Sequence, residues 1–176
     1  SIEDMLRGRF KRTEVAFAFD IGESVPSYVF GDEGKLRQIL INLLGNSMKF
    51  TERGHVTLHV RWKDGRAAFE VVDTGAGIAA SELSTLFDAF VQTESGRQAR
   101  QGTGLGLAIC RNFVRMMGGD IDVTSAVGEG STFRFEINLP EASVVAAPVE
   151  ARSVARLAPG QELFRVLVVD DDVETR

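Results

Sequence analysis

The 176-residue chain has one cysteine, Cys110, and two histidines, His55 and His59. A single thiol excludes an intramolecular disulfide framework and fits a reducing, cytoplasmic setting. It falls in a helical apolar pattern, where free cysteine packs as a small hydrophobe. The histidines lie in HVTLHVRW, an alternating segment that reads as a strand. Four residues apart on a strand, they share a face but stand about 13 Å from each other, too far to hold one metal ion. No run of about 18 apolar residues occurs and the first residues lack a secretory-signal layout, so no membrane contact is expected. A surplus of positive charge is also missing. The formal net charge of −5 gives no general attraction to nucleic acid or to an anionic surface. An anionic ligand would need a local cluster of donors.

What is present reads as one packed domain of roughly 100–150 residues plus an appendage, without internal repeats. VAFAFDI (15–21) has strand character and is followed by Pro26. From Gly31 the period changes: Leu36, Ile39, Leu40, Leu43, Leu44 and Met48 form one helical stripe, with Asp32 at the N-cap position. HVTLHVRW (55–62) and AAFEVVD (67–73) read as a hairpin across Lys63-Asp64-Gly65-Arg66, whose Asp-Gly pair favours a two-residue turn. A short helix is expected from Ser81, as its cap, to Phe87. A polar stretch follows from about Gln92 to Thr103, then a helix over 105–117 closed by Gly118-Gly119. DIDVTSA and STFRFEINL form a second hairpin. After Pro140 the Ala-, Val-, Ser- and Pro-rich stretch 141–163 reads as a linker, and FRVLVVDDDVETR (164–176) as a buried parallel strand ending in acids.

Three polar constellations stand out on these elements. Asn42 and Asn46 are one helical turn apart on the same side of the first helix, with Lys49 further along it. Asparagine is mildly unfavourable in a helix interior. The two amides either satisfy neighbouring backbone or offer oxygens to a hard cation such as Mg2+, leaving Lys49 to face phosphate charge. Asp73 ends a strand before Gly75 and Gly77. Its carboxylate either caps the turn or accepts from an exocyclic amine, which would favour adenine over guanine. In QGTGLGLA (101–108) three alternate glycines lead into a helix, for close packing or for phosphate contact at the helix start.

Taken in order, NLLGNSMKFT, DTGAGI, LFDAF and GTGLGL resemble the N, G1, F and G2 boxes of the ATP-binding catalytic domain of sensor histidine kinases. That domain is a branch of the gyrase, heat-shock chaperone and mismatch-repair ATPase superfamily, and the resemblance covers roughly residues 13–140. It implies an α/β two-layer sandwich of the Bergerat type, with a mixed, mostly antiparallel sheet against about three helices. ATP would lie between the long helix and the loop after the F box. On this resemblance Asn46 is the principal Mg2+ ligand and Asn42 its neighbour; both count with Lys49 as catalytic. Phe50 flanks the nucleotide, Asp73 accepts from the adenine amine, and Gly75, Gly77 and Ile78 line the base. Phe87 and Phe90 anchor the lid. Gly102, Thr103, Gly104, Leu105 and Gly106 form its far hinge and phosphate contact, and Arg97, Arg100 and Gln101 supply lid donors. Ser47 stands where the family more often has Ala.

The ATP-hydrolysing branches of the superfamily place a Glu, which activates water, where Asn42 stands. An amide cannot act as that base, so the expected reaction is phosphoryl donation to an external nucleophile by positioning and charge neutralisation. In this family the nucleophile is a histidine on a dimerisation hairpin, and neither His55 nor His59 has that context. Residues 1–12 read as a remnant of the connection to such a hairpin. The fragment is therefore expected to be monomeric and not to phosphorylate itself, its parent being a homodimer. Asp170 and Asp171 resemble the acidic pair of a receiver domain, making the parent a hybrid kinase. Its expected partners are that receiver in cis and a downstream phosphotransfer protein or response regulator. The alternative from another functional class is a nucleotide-responsive docking module that has lost transfer.

Overall fold

A computed structural model describes residues 14–91 and 103–142. Arg97, Arg100, Gln101 and Gly102 lie outside the described residues, as do segment 1–12, nearly all of the 141–163 linker and the 164–176 strand.

The apolar stripe of residues 36–48 forms the helix it predicts, α1 (Glu33–Phe50), which buries Ile39, Leu40, Leu43, Leu44, Ser47 and Met48. Asp32 caps it as expected: its backbone is extended, and its Oδ1 accepts the Lys35 N–H at 3.0 Å. The strands are β1 (Glu14–Ile21), β2 (Arg53–Lys63), β3 (Arg66–Asp73), β4 (Asp120–Ala126) and β5 (Gly130–Asn138). They form one sheet in the order β1-β2-β3-β5-β4. β1 and β2 are parallel, with α1 as the crossover, and every other pairing is antiparallel. In the β2–β3 turn Asp64 and Gly65 both take positive φ, 51° and 80°, the pattern of a type I′ hairpin.

The other helices are α2 (Ala80–Leu83) and α3 (Gly106–Met116). α2 is shorter than the 81–87 expected and starts earlier. Ala79 precedes it without a side-chain cap bond, and Ser81 lies inside it. Beyond Leu83 the backbone bonds run from residue i to i−3 (Leu86 to Leu83, Asp88 to Thr85, Val91 to Asp88). This tighter winding ends the α-helix while Leu86 turns into the core. At the end of α3 Gly118 takes φ 81°, and the Gly118 and Gly119 N–H groups bond to the carbonyls of Arg115 and Val114.

Period-two alternation puts Val56, Leu58, Val60, Phe69, Val71, Ile121, Phe133, Phe135 and Ile137 into one buried core with the α1 stripe, Cys110 and Val114. Phe69 and Phe135 stack with centroids 4.7 Å apart. On the opposite face Asp20, His59, Glu70, Arg134 and Asp122 align across all five strands. Arg134 reaches Glu70 at 2.6 Å, and Asp20 meets both Arg61 (2.5 Å) and His59 (2.7 Å). The hydrogen bond from Arg61, followed by that from His59, holds the Asp20 carboxyl below its usual range. Both histidines are thus strand residues on the outward face. The architecture is the expected two-layer α/β sandwich with a mixed, mostly antiparallel sheet. Among the described residues no helix is long and apolar enough to cross a membrane.

Candidate functional site

The inward face of the sheet turns polar at one end. Next to the apolar rung of Leu58, Val71, Phe133 and Val123, the register aligns Val56, Asp73, Ser131 and Ser125. The alternation that builds the core therefore carries the Asp73 side chain beneath the helices, where the residue is 6% exposed. Three donors meet it there. Its Oδ1 accepts the N–H groups of Gly75 (3.0 Å) and Ser131 (3.2 Å), and its Oδ2 accepts the Ser47 hydroxyl (3.0 Å). Burial pushes the Asp73 carboxyl above its ordinary range, and the donors offset part of that shift.

The loop after β3 is wedged between two elements. Ala76 donates to the Phe50 carbonyl at the end of α1, and Gly128 in the β4–β5 turn donates to the Ala76 carbonyl. The Ser125 hydroxyl accepts the Ile78 N–H at 2.8 Å and lies 2.7 Å from the Gly130 carbonyl. A Cβ on Gly75 would come within 2.4 Å of the Phe50 carbonyl oxygen. One on Gly77, at φ 68°, would come within 1.9 Å of the Ala126 carbonyl oxygen. Both glycines thus have a packing reason for the missing side chain. Thr51, the C-cap of α1, is 2% exposed, and its Oγ1 has no partner among the described residues.

Asn46, Ser47, Phe50, Asp73, Gly77 and Ile78 line one cavity with Leu86, Leu107, Ser131 and Phe133. An apolar lining with a single buried carboxylate suits a flat ring whose edge carries a donor. Asn42 lies just outside it, with its amide already engaged: Nδ2 donates to the Gly106 carbonyl (3.3 Å), and Oδ1 accepts from Gln38 (3.1 Å). Asn46 carries no such anchor among the described residues. Lys49 holds its ammonium 4.8 Å from the centroid of the Phe50 ring. Phe90 is 75% exposed at φ 66°, and its N–H bonds to the Gly104 carbonyl. Phe87 packs against the core under the Arg111 guanidinium. Gly104, at φ 71°, leaves no room for a Cβ beside the backbone of Phe90 and Val91, whereas a Cβ on Gly106 would meet nothing nearer than the Asn42 amide at 3.8 Å. Thr103 is exposed, and Leu105 is the N-cap of α3.

Most of the residues singled out from the sequence therefore gather at one end of the sheet. Sequence reasoning passed over Ser125, Ser131, Leu86, Leu107 and Phe133, and treated Ser47 as a minor departure. The signal for the two strand serines was available. Ile121, Val123 and Ser125 share one phase of β4, and Ser131, Phe133, Phe135 and Ile137 share one phase of β5. A wider cleft of about 390 Å³ lies on the outward face around His59, Glu70, Asp122 and Arg134. Its charges pair across strands in contact with solvent, which makes it a solvated ladder rather than an enclosed site.

Residues 31–141 match the family model described as histidine kinase-, DNA gyrase B- and HSP90-like ATPase. Sensor histidine kinase RcsC of Escherichia coli strain K12 is 48% identical over 120 residues, covering 68% of this chain and 13% of RcsC. Peroxide stress-activated histidine kinase mak2 of Schizosaccharomyces pombe is 42% identical over 135 residues, covering 71% of this chain and 6% of mak2. The chain thus spans a small part of these curated relatives. The crystal structure of full-length ShkA in complex with AMPPNP superposes with a TM-score of 0.70 at 37% identity, over 81% of this chain and 29% of that one. The chain belongs to the histidine kinase-, DNA gyrase B- and HSP90-like ATPases, as an ATP-binding domain of the kind found in two-component sensor histidine kinases.

Proposed function

We propose that this domain binds Mg-ATP and donates the γ-phosphoryl group to a histidine on a dimerisation domain of the same protein, in a two-component phosphorelay. One observation carries the reading: a buried carboxylate met by three donors lines a largely apolar cavity together with Asn46, one helical turn from Asn42. Asp73 accepts from the 6-amino group of adenine, Ile78 and Gly77 border the ring, and Phe50 flanks it. Lys49 faces phosphate charge. The first N–H groups of α3, after Leu105, point their donors and the positive end of the helix dipole toward phosphate oxygens. Phe90 and Gly104 form the base of the lid. Thr103, Gly106, the hinge residue Gly102 and the lid donors Arg97, Arg100 and Gln101 complete the cover.

The side chains fit Mg2+ by donor chemistry. Among the described residues no three His, Cys, Asp or Glu gather, so a cation here takes neutral amide oxygens, phosphate oxygens and water. Asn46 supplies the principal oxygen, and Asn42, already braced by Gln38 and Gly106, a second. The ion, when bound, neutralises charge on the phosphates. The chain offers no base at Asn42 to activate water, so the γ-phosphoryl waits for an imidazole nitrogen. That nitrogen forms the new bond to phosphorus as the bond to the ADP oxygen breaks. Partners are the dimerisation domain, a receiver in cis and a downstream phosphotransfer protein or response regulator, with the domain on the cytoplasmic side.

The test supplies the chain with γ-labelled ATP, Mg2+ and the parent protein's histidine hairpin. Label on the hairpin histidine is the expected result, abolished by Asn46→Ala. ATP binding with no label on the hairpin overturns the kinase reading and leaves a nucleotide-responsive docking module.

A further inference from the structure

The three donors around Asp73 treat its two oxygens unequally. Oδ1 accepts two backbone N–H groups, from Gly75 at 3.0 Å and Ser131 at 3.2 Å, which fill its lone pairs. Oδ2 accepts one side chain, the Ser47 hydroxyl at 3.0 Å. One acceptor position is left, and it lies on Oδ2. Ser47 is 2% exposed on the buried face of α1, next to Met48 and one turn from Leu43 and Leu44. Its oxygen is therefore fixed by core packing and shielded from water. The terminal torsion of a carboxylate has a broad energy well, so two donors on one oxygen leave the plane of the group free to swing. A third donor, from a rigid helix on the other oxygen, stops that motion.

We propose that Ser47 is a positioning residue for base recognition: its hydroxyl holds the Asp73 carboxylate in the orientation that presents the remaining Oδ2 lone pair to a 6-amino purine. It thereby sets the preference for 6-amino over 6-oxo bases. The inference rests on the nucleotide reading above. A 6-amino group donates to that lone pair, a 6-oxo group opposes it, and a purine with hydrogen at this position is indifferent to it. Ser47→Ala removes one atom and places a better helix former in α1, so the helix and the cavity walls persist.

The experiment titrates the 176-residue chain and its Ser47→Ala variant, with Mg2+, by calorimetry against three triphosphates that differ at purine position 6. These are ATP (amino), purine riboside triphosphate (hydrogen) and ITP (oxo). The variant is expected to bind ATP roughly tenfold more weakly, the scale of a hydrogen bond to a charged group, with the affinities of the other two unchanged. Parallel weakening of all three assigns Ser47 a structural role and overturns the inference. So does an undiminished preference for ATP in the variant. If the parent chain binds none of the three, the nucleotide reading itself falls and takes the inference with it.

Discussion

Ionising Asp73 beneath the helices costs more than ionising it in water, because burial removes hydration that three hydrogen bonds restore only in part. Its folded pKa lies above the ordinary 3.8, so between those two values the folded state binds more protons than the unfolded one. Stability from this group is greatest below that window and falls as pH rises through the folded pKa; above the folded pKa the penalty is complete. Asp73→Asn keeps an oxygen for the Gly75 and Ser131 N–H groups and removes the charge. Thermal melts should show the variant at least as stable as the parent at neutral pH, with the difference shrinking as pH is lowered. ATP affinity should nevertheless fall by roughly two orders of magnitude in a calorimetric titration, since two amine donors would oppose each other in a buried site. Asn42, Asn46 and Asp73 were legible in the sequence because their unusual placement on a helix or at a strand end shows within a few residues. Ser47 was not, and for Ser125 and Ser131 the strand phase showed only that they face inward. Serine is common in every element, and these hydroxyls acquire their meaning from strand register and from hydrogen bonds between residues up to 47 positions apart.

The alternate glycines of the segment before α3 now separate by element. Gly104 lies against the backbone of Phe90 and Val91, where positive φ and the Phe90 backbone both exclude a side chain. Gly106 belongs to the first turn of α3 and faces only the Asn42 amide at ordinary contact distance. Gly104→Ala should destabilise the domain by about 1–3 kcal/mol through strain. Gly106→Ala should stabilise it by about 0.5–1 kcal/mol through helix propensity. Denaturant unfolding reads both. On the proposed reading Gly106→Ala should still weaken ATP binding, because the added methyl would stand at the helix start assigned to phosphate. The elements themselves were legible wherever a local period ran long enough, as in α1 and in the hairpin turned by Asp64 and Gly65. α2 was misjudged because its end is set by the inward turn of Leu86, a tertiary demand that no short window of sequence contains.

Across the described residues one sheet serves two environments, a core that ends in the cavity proposed for nucleotide and an outward ladder of paired charges. Surface pairs of this kind contribute about 0–1 kcal/mol each, so stability rests on the core and on whatever fills the cavity. Mg-ATP at a hundred times its Kd should add about 2.7 kcal/mol, visible as a rise in Tm, and GTP at the same concentration should add far less. Of the global arrangement, the mixed sheet under a helical layer was legible through family resemblance; the pairing of β3 with β5 needed the structure. That pairing has a consequence for the order of synthesis. β5, the last of the described strands to be made, inserts between β3 and β4, which both precede it in the chain. Until residue 138 has left the ribosome, β3 has one bare edge, β4 has no neighbour, and Asp73 lacks the donor from Ser131. An unpaired edge of this kind invites wrong partners. The nascent domain therefore passes through a stage in which its core is exposed and its ligand is of no help, and nucleotide can stabilise only a chain that has already finished its sheet.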